Sequence, residues 1–342
     1  MKNVSVYYHI FIFYLLLILI LPLTGQSRYG GASMQLGLGA QNLALGGATV
    51  ARFGQHEGFY YNPSAPAGTD RLRLSLMYAP SFGGFGKALA NYNYVGVSLP
   101  LPQQAVLGVH WTRFSVDDIP VFPSLRGSSY ADRLNNAELR PDGTPSGSFT
   151  DIEDVFYFNF SRMFAVNLPF GWLFTDLPVE IPVGFTIKGL RQRIYDSSAS
   201  GLGLDIGTMI KFKLGHLLDR RTIGDMAVGL AVLDISDTKI IWNTRHEDQI
   251  GRTVSFGVAF EQNVGFRDAA VHLYWTTWKR IERQHLFGLE LKMKNGALRF
   301  GKNRDGLTAG AGIELWRLVF DYAFVTLDLE NSHRISCSFS IK

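Results

Sequence analysis

Acidic residues are dense on both sides of the longest polar stretch of the chain. The carboxylates concerned are Asp117, Asp118, Asp151, Glu153 and Asp154. Carboxylate oxygens at this density are ligands of the kind that Ca²⁺ takes in proteins. The twelve-residue spacing of an EF-hand loop is absent from the sequence, so the pattern favours a solvated acidic loop base over a metal site.

Nucleophilic catalysis requires a nucleophile beside a base, and His110, His272 and His285 are candidate bases for serines on neighbouring strands. The chain has no Gly-x-Ser-x-Gly elbow and no two histidines at helical spacing. The glycine-rich stretch 37–47 has neither the preceding strand nor the following Lys-Ser/Thr helix of a phosphate loop. Cys337 is the sole cysteine, which excludes an internal disulfide and a cysteine-built zinc site. We therefore predict no enzymatic activity and no cofactor.

The elements that must position these residues are strands, because apolar residues recur at every second position from about Arg71 to the end of the chain. In 201–214 the apolar side chains on one face are Leu202, Leu204, Ile206, Ile210 and Phe212. The other face carries Gly203, Asp205, Gly207, Lys211 and Lys213. Alternate side chains of a strand point to opposite faces, so this pattern is typical of a membrane barrel with a polar lumen.

The composition is compatible with such a barrel, whose apolar and polar faces average out. Mean hydropathy is only +0.06 and 18 % of residues are charged. Beyond the N-terminus, the sequence contains no apolar run long enough to span a membrane as a helix. The net charge of +4 comes without a basic run or zinc-finger spacing, which argues against nucleic-acid binding. Basic loop residues would instead face anionic lipid head groups of the outer membrane.

The N-terminus has the order of a secretory signal. Lys2 precedes an apolar stretch, Val4–Leu23, and small and polar residues follow at 24–27. We interpret 1–27 as a signal peptide that is cleaved near Gly25 or Ser27. The alternative is a retained single-pass anchor.

Reading the alternation along the chain gives fourteen segments, an even number, as expected for an antiparallel barrel with both termini on the periplasmic side. The segments are 72–79, 87–99, 105–114, 154–164, 179–193, 201–213, 225–233, 252–261, 268–277, 284–294, 296–302, 306–315, 317–327 and 333–341. The two longest connections, about 115–150 and 234–250, then both fall outside the cell. Tryptophans 111, 275 and 278 lie near outer strand ends, which favours an aromatic girdle.

The segment 28–70 precedes the first strand, is rich in glycine and alanine, and shows no alternation. A connection of that length without structure of its own is uncommon and is either a linker or a plug, and we predict a hatch inserted in the lumen of a barrel formed by 71–342. The predicted lumen row carries charges of both signs, which are expected to pair with one another or with the hatch. These residues are Glu180, Lys188, Asp205, Lys211, Glu261, Glu290, Lys292, Arg299, Glu314 and Asp321.

Several blocks carry a family resemblance. Leu43–Ala48, Leu-Ala-Leu-Gly-Gly-Ala, is followed by Tyr60–Pro63, Tyr-Tyr-Asn-Pro, and both resemble the N-terminal hatch of FadL-like outer-membrane proteins. The chain resembles, more specifically, the PorV/PorQ group of that superfamily. Further matching blocks are Val116–Pro120, Arg140–Pro145, Gly147–Asp151, Gln192–Asp196, Ala199–Gly201, Asp237–Trp242, Phe320–Phe324 and His333–Ser336.

The resemblance implies a fourteen-stranded barrel in the outer membrane of a Gram-negative-type bacterium, with Gly46, Gly47, Asn62 and Pro63 in the hatch motif. It also implies a role in type IX secretion, in which such proteins bind the C-terminal domains of cargo and associate with the translocon. FadL relatives instead pass hydrophobic small molecules sideways into the membrane, and a purely structural barrel is a third possibility. The outer loop 115–150 is the predicted partner surface, with candidate residues Asp117, Asp118, Pro120, Asp142 and Gly143.

Overall fold

The computed structural model describes residues 30–82, 88–123, 129–139, 143–170, 175–218, 220, 222–265, 268–279, 282–327 and 331–341. Their strands are β1 (Leu72–Ser81), β2 (Ala90–Leu101), β3 (Ala105–Val121), β4 (Gly147–Phe170), β5 (Thr175–Ile194), β6 (Ser197–Lys213), β7 (Asp225–Leu233), β8 (Thr238–Trp242), β9 (Glu247–Ile250), β10 (Thr253–Asn263), β11 (Ala270–Lys279), β12 (Arg283–Met293), β13 (Gly296–Lys302), β14 (Leu307–Leu315), β15 (Leu318–Val325) and β16 (Ser332–Ile341). The short helices are Ala32–Gln35, Ala40–Ala44, His56–Tyr60, Tyr130–Asn135, Ala137–Leu139 and Leu214–Leu217.

Fourteen of these strands form a closed antiparallel barrel, which confirms the predicted fold class. Each strand pairs with its neighbour in chain order, except that β7 pairs with β10 across the β8–β9 hairpin. Pairing of β1 with β16 joins the two ends of the chain, and pairing of β5 with β6 completes the ring. Closure satisfies the main-chain groups that an open sheet edge would expose to lipid.

The two faces of the wall differ as the alternation predicts. Leu202 is 70 % exposed on the outside, whereas Asp205, three residues later, is 4 % exposed on the lumen side. The same holds around the barrel, where exposed outward residues include Leu76, Val97, Val109, Phe158, Ile187, Leu289 and Phe300. An apolar exterior around a polar interior is the arrangement of a barrel that spans a membrane.

Three stretches predicted as connections contain strand. β3 continues to Val121 and β4 begins at Gly147, so the connection predicted at 115–150 is shorter than expected. The stretch 234–250 contains β8 and β9. At the other end of the barrel, β4 continues to Phe170 and β5 begins at Thr175, within the predicted connection 165–178. Beyond the membrane neither face of a strand meets lipid, so the apolar alternation is lost although the main-chain pairing continues.

The assignment of Trp278 to an outer aromatic girdle is wrong. Its ring packs in the lumen against the buried cluster that contains Leu45, Tyr274 and Leu286. Trp275 lies outside, stacked on His285 with ring centroids 5.9 Å apart. The two tryptophans are three positions apart in one strand and therefore point to opposite faces.

The barrel has two distinct ends. We call the end that holds Leu72 and Ile341, together with the turns at 102–104, 294–295 and 316–317, the terminus end. The opposite end, which carries the connection between β3 and β4, is the loop end. Within the described residues, no helix has both the length and the apolar character that crossing a membrane requires. The predicted signal peptide, 1–27, lies outside the described residues.

Candidate functional site: the hatch and its seat in the lumen

The segment 30–70, the hatch, runs through the lumen from the loop end to the terminus end. Gly31 lies against the side chain of Ile250 in β9. At the other end, the amide nitrogen of Gly68 donates a hydrogen bond of 3.3 Å to the carbonyl of Gln104 in the β2–β3 turn. Between these points most hatch residues are buried, so the N-terminal segment fills the barrel interior.

Glycines on seven wall strands form the seat of the hatch, which we call the glycine belt. A Cβ atom added at any of them would lie 3.1 Å or less from a hatch atom, and at five of the seven a hatch backbone atom is among the nearest. From β5 to β14, the hatch residues that they meet shift from Asn62–Ser64 through Val50–Ala51 to Ala44–Gly46. The belt consists of Gly184, Gly207, Gly229, Gly257, Gly288, Gly301 and Gly310.

The two glycines of the predicted hatch motif lie in this contact zone. Gly46 has a φ of 66°, and a Cβ there would be 2.6 Å from the carbonyl oxygen of Lys302. Gly47 has a φ of 75° with more space around it. Positive φ is a left-handed conformation that glycine adopts without steric cost. Gly46 therefore satisfies a conformational and a steric requirement at one position.

Asn62 and Pro63 fix the hatch to strands β4 and β6. The Asn62 amide donates to the carbonyl of Val50 at 2.8 Å and to that of Thr208 at 3.2 Å. Its oxygen accepts from the hydroxyl of Ser64 at 2.7 Å. The carbonyl of Pro63 accepts from the Asn159 amide at 2.9 Å. The Asn-Pro turn thus joins two hatch segments to each other and to the wall.

A buried ion-pair network, the Arg52 latch, holds the hatch to the opposite wall. Arg52 Nη2 lies 3.1 Å from Glu290 Oε1, and Arg299 Nε lies 2.7 Å from the same oxygen. Arg299 also contacts Asp321 at 2.6 Å, so two cations and two carboxylates alternate. Arg52 Nη1 donates within the hatch to the side-chain oxygens of Gln41 and Asn42. Desolvation offsets much of the attraction in such a network, but removal of one member leaves buried charge uncompensated.

An aromatic cluster covers the hatch on the side of β2 to β4. The ring of Phe59 stacks on His110 with centroids 3.9 Å apart and meets Tyr157 edge-on at 5.4 Å. Tyr94 donates to or accepts from His110 Nδ1 at 3.0 Å. Tyr92 completes the cluster and is 2 % exposed. These rings fill the lumen where the wall carries fewer glycines.

A chamber of about 330 Å³ remains between the hatch and the wall toward the terminus end. Arg52 and Phe53 of the hatch form its inner side, and charged wall residues surround it. Its wall charges are Arg73, Lys211, Asp225, Glu261, Glu290, Lys292, Arg299 and Glu314. The chamber is therefore suited to polar solutes and not to a hydrocarbon.

The loop end is covered by hatch residues and the β8–β9 hairpin. Ile240 and Ile250 of the hairpin are fully buried in the cluster that contains Leu38 of the hatch. The hydroxyl of Ser33 donates a short hydrogen bond to the carboxylate of Glu153 in β4. The described lumen is thus closed at the loop end and open as a chamber at the terminus end.

The strand ladder thins between β7 and β8. β6 pairs with β7 from Ile206 and with β8 at 199–201, and between these the amide nitrogen of Ile235 donates to the carbonyl of Leu204 at 2.9 Å. Lys188 Nζ bridges Asp205 at 2.8 Å and Asp234 at 2.6 Å at this point. All three side chains are buried, so at this thinned stretch of the wall, which we call the wall break, buried charge supplements a single main-chain bond.

The predicted partner residues lie at the loop end. Asp117 and Asp118 are exposed in a β-bulge of β3, where Asp118 has a φ of 56°. Pro120 is exposed on the same strand, and Gly143 is exposed before β4. Asp142 lies outside the described residues. The structure therefore brings the first three together on the projecting end of β3.

The other acidic residues at this loop base are engaged separately. Asp154 accepts from Arg113 at 2.8 Å and from the Trp111 indole at 2.9 Å, while Glu153 contacts the hatch. Within the described residues, no group of three acidic, histidine or cysteine side chains has the geometry of a metal site.

The sequence predicts Glu290, Arg299 and Asp321 in the lumen. It does not predict Arg52, which pairs with Glu290 from the hatch, or Asp234, which pairs with Lys188 at the wall break. The signal for Arg52 was a lone cation at the end of a long uncharged stretch, since 29–51 contains no other charged residue. Such a charge has to find a partner when the segment is buried. Asp234 follows β7 in a stretch that reads as an ordinary loop.

No protein-family model matches the chain, and no curated protein matches it. Among solved structures it is similar to the Pseudomonas putida toluene transporter TodX, at 10 % identity over 89 % of this chain and 97 % of that chain, with a TM-score of 0.45. It is also similar to CdiB from Acinetobacter baumannii, at 8 % identity over 79 % of this chain and 60 % of that chain, with a TM-score of 0.37. A mutant of Rh. blastica porin matches at 8 % identity over 79 % of this chain and 98 % of that chain, with a TM-score of 0.31. Similarity at this level assigns no function to the chain.

Proposed function

We propose that this chain is an outer-membrane barrel of the PorV/PorQ type, which binds secretion partners or cargo and does not conduct solutes as an open pore. The observation that carries the proposal is the filled lumen. The hatch touches belt glycines on seven strands, and the Arg52 latch and the Asn62-Pro63 turn fix it on opposite sides. An obstruction held this firmly favours a protein whose working surface is outside the barrel.

The projecting β3–β4 hairpin is the working surface that we assign to this role. β2 leaves β3 at Ser115 and β5 leaves β4 at Asp151. β3 and β4 continue together to the pair Val121–Gly147. The hairpin therefore rises beyond its neighbours as a two-stranded ribbon with free edges. Exposed strand edges and loops positioned by a rigid scaffold are common partner surfaces.

The partner class comes from the family resemblance: C-terminal domains of exported cargo, and the secretion translocon. The exposed pair Asp117–Asp118 adds negative charge to the ribbon, which favours a partner with basic residues at its contact surface. The loop end faces outward if both chain termini start from the periplasm, as in single-chain bacterial barrels. That orientation places the ribbon where cargo leaves the outer membrane.

The test is affinity capture of the detergent-solubilised protein from its own cells, followed by mass spectrometry. The variant Asp117→Lys with Asp118→Gly reverses the charge and keeps the positive φ at 118, whereas Asp196→Lys changes an exposed acid in the β5–β6 turn. We expect wild type and Asp196→Lys to recover secretion components or cargo, and the double variant to recover much less. Capture of no secretion component by the wild type would contradict the proposal.

A hydrophobic-solute channel with the hatch as its gate is the second candidate. The observation in its favour is the wall break beside 202–205, which provides a lateral route if the Lys188–Asp205–Asp234 triad and the bond from Ile235 to Leu204 open. Against it, the chamber beside the hatch is charged and not apolar.

A cysteine lock separates the two candidates. A Cβ at Gly257 would lie 3.1 Å from the Cβ of Val50, close to the roughly 3.5–4.5 Å that a disulfide spans. The variant Val50→Cys with Gly257→Cys and Cys337→Ser therefore ties the hatch to the wall. Loss of hydrocarbon uptake on oxidation, restored by reduction, would support the channel. Unchanged partner capture in both redox states would support the partner-binding role.

A further inference from the structure

The outer face of the wall changes from apolar to polar at one level on three neighbouring strands. Phe156, Gly189 and Leu202 lie side by side on β4, β5 and β6, and the two large side chains are 45 % and 70 % exposed. Two positions nearer the loop end, β5 and β6 carry Arg191 and Ser200 on the same face. Such a change marks the boundary between hydrocarbon and lipid head groups on the wall of a membrane barrel.

Two arginine–serine pairs lie on the polar side of this boundary, and we call them the Arg–Ser patch. Arg191 lies opposite Ser200, Arg193 lies opposite Ser198, and all four side chains are exposed. The two arginines are two positions apart in one strand, so they lie on one face about 7 Å from each other. Among the described residues, neither their guanidinium groups nor the two serine hydroxyls have a hydrogen-bond or ion-pair partner. The patch therefore presents two uncompensated positive charges and two hydroxyl groups to the outside.

Nearby cations show what the arginines of the patch lack. Arg113 in β3 donates to both oxygens of Asp154, at 2.8 Å and 2.9 Å. This carboxylate lies opposite Arg191 in the sheet but is already engaged. Lys239 in β8 pairs with Glu247 at 3.4 Å. Both neighbouring cations thus have a carboxylate of the chain, whereas the arginines of the patch are available to an anion from outside it.

The patch borders an outer groove of about 560 Å³, which Arg191, Ser198 and Ser200 line in part. Phe156 and Ile241 contribute apolar surface to the same groove, and Ile241 is 53 % exposed. Gly189, which also lines the groove, leaves open space on its outer side, because a Cβ atom there would meet no atom within 4 Å. An apolar groove beside a cationic patch matches an amphiphile with an anionic head group.

We propose that the Arg–Ser patch and its groove bind one lipid with a phosphate head group, taken from the leaflet at the loop end. The phosphate accepts hydrogen bonds from the two guanidinium groups, whose donor fork matches phosphate oxygens. One acyl chain lies in the groove over Gly189. Charge complementarity and the level of the site, at the hydrocarbon boundary, favour a lipid over a protein as the occupant. This inference requires the barrel to lie in a membrane, but it does not depend on the partner-binding role.

The first test is native mass spectrometry of the full-length mature protein in detergent, titrated with dimyristoyl phosphatidate or with zwitterionic dimyristoyl phosphatidylcholine. Each arginine near an anionic lipid is worth roughly a fivefold change in affinity, so Arg191→Gln with Arg193→Gln should weaken phosphatidate binding roughly 30-fold. Binding of phosphatidylcholine should not change. The matched control, Arg283→Gln with Arg304→Gln, removes two exposed arginines elsewhere at the loop end and should bind as the wild type does. Equal phosphatidate affinities for the two double variants would overturn the proposal.

The second test locates the lipid with phosphatidate that carries a photoreactive diazirine in its acyl chain. Cross-links should concentrate on peptides that contain Phe156, Gly189 or Ile241. Gly189→Leu, which fills the groove without a change in charge, should abolish them.

Two outcomes of the cross-linking experiment would contradict the lipid site. Even labelling of all lipid-facing strands would mean that only the general lipid shell is present. Competition by inorganic phosphate alone would mean that the ligand is a free anion and not a lipid. Neither test uses partner capture, so this inference and the proposed function fail separately.

Discussion

The substitution Gly184→Ala addresses the seat of the hatch directly. A Cβ at this position would lie 2.2 Å from the carbonyl oxygen of Pro63 and 2.7 Å from the amide nitrogen of Ser64. Both are backbone atoms, so rotation of a side chain offers no relief. The hatch turn would have to retreat by roughly 1.2 Å to restore an ordinary van der Waals distance of 3.4 Å.

The magnitude follows from the cost of overpacking. Forcing an extra methyl group into a close-packed contact costs about 1–3 kcal/mol. Since 1.4 kcal/mol is a factor of ten, the population of the undocked hatch should rise roughly 5- to 150-fold. The Asn62 bond to Thr208 and the Pro63 bond to Asn159 are lost in the same retreat, which places the effect in the upper part of that range.

Hydrogen exchange of the peptide that contains Asn62 to Ala67 measures this population in the folded protein. Planar-bilayer conductance provides a second readout, because an undocked hatch opens the lumen to ions. Gly189→Ala is the matched control: it lies in the same strand, and a Cβ there meets no atom within 4 Å. Both variants share the entropic effect of replacing glycine in the unfolded chain, so their difference isolates the clash.

Equal exchange rates for Gly184→Ala and Gly189→Ala would refute the reasoning. Such a result would mean that the hatch yields without cost or that it does not rest on the belt. Faster exchange confined to Gly184→Ala, with strand amides unchanged, is the expected outcome.

Three further predictions concern buried charge. Glu290→Ala leaves Arg52 and Arg299 without their shared carboxylate and should lower the free energy of unfolding by about 3–5 kcal/mol in urea titrations. The control is Glu314→Ala, which changes an exposed residue of the chamber and should leave the free energy of unfolding within about 0.5 kcal/mol of the wild-type value. Lys188→Met removes the cation that Asp205 and Asp234 share, so amides 233–238 should exchange faster, and the exposed Lys239→Met should not show this change. Burial, aided by Arg73, lowers the pKa of His56 from 6.5 to about 4, so the docked hatch keeps this residue neutral while the undocked hatch takes up a proton. The free energy by which neutral His56 favours the docked hatch is fully present above pH 6.5 and is lost as the pH falls toward 4. Bilayer conductance should therefore rise on acidification, and it should rise less in His56→Gln. A conductance that does not change with pH would contradict this account.

The fold was largely predictable because membrane strands meet two different solvents. Each side chain of a barrel wall faces lipid or lumen, so apolar and polar residues alternate in every strand. The predicted bounds of β7 and β13 agree with the structure at both ends, at 225–233 and 296–302. The prediction of strands failed where a strand no longer has one face toward lipid and one toward the lumen, as in the projecting ends of β3 and β4 and in the β8–β9 hairpin.

The site was predictable only as a list of residue types. The sequence indicates a charged lumen row and a glycine-rich hatch, but it does not specify which charges meet. Arg52 and Glu290 are 238 positions apart, and their contact depends on the closure of the barrel. The belt has the same origin, because its glycines lie on seven strands and form a seat only when the strand register brings them to one level.

Sequence alone therefore determined the closed barrel, its strand count and which face of each strand meets lipid, since these follow from local alternation and solvent contrast. The tertiary structure decided how the hatch winds along the wall, which cations of the lumen receive a carboxylate, and that Arg334 does not have one among the described residues. The physical reason is the distance along the chain over which each feature is set. The alternation of side chains involves adjacent residues of one strand, whereas hatch contacts and buried ion pairs depend on the pairing register of every strand around the barrel.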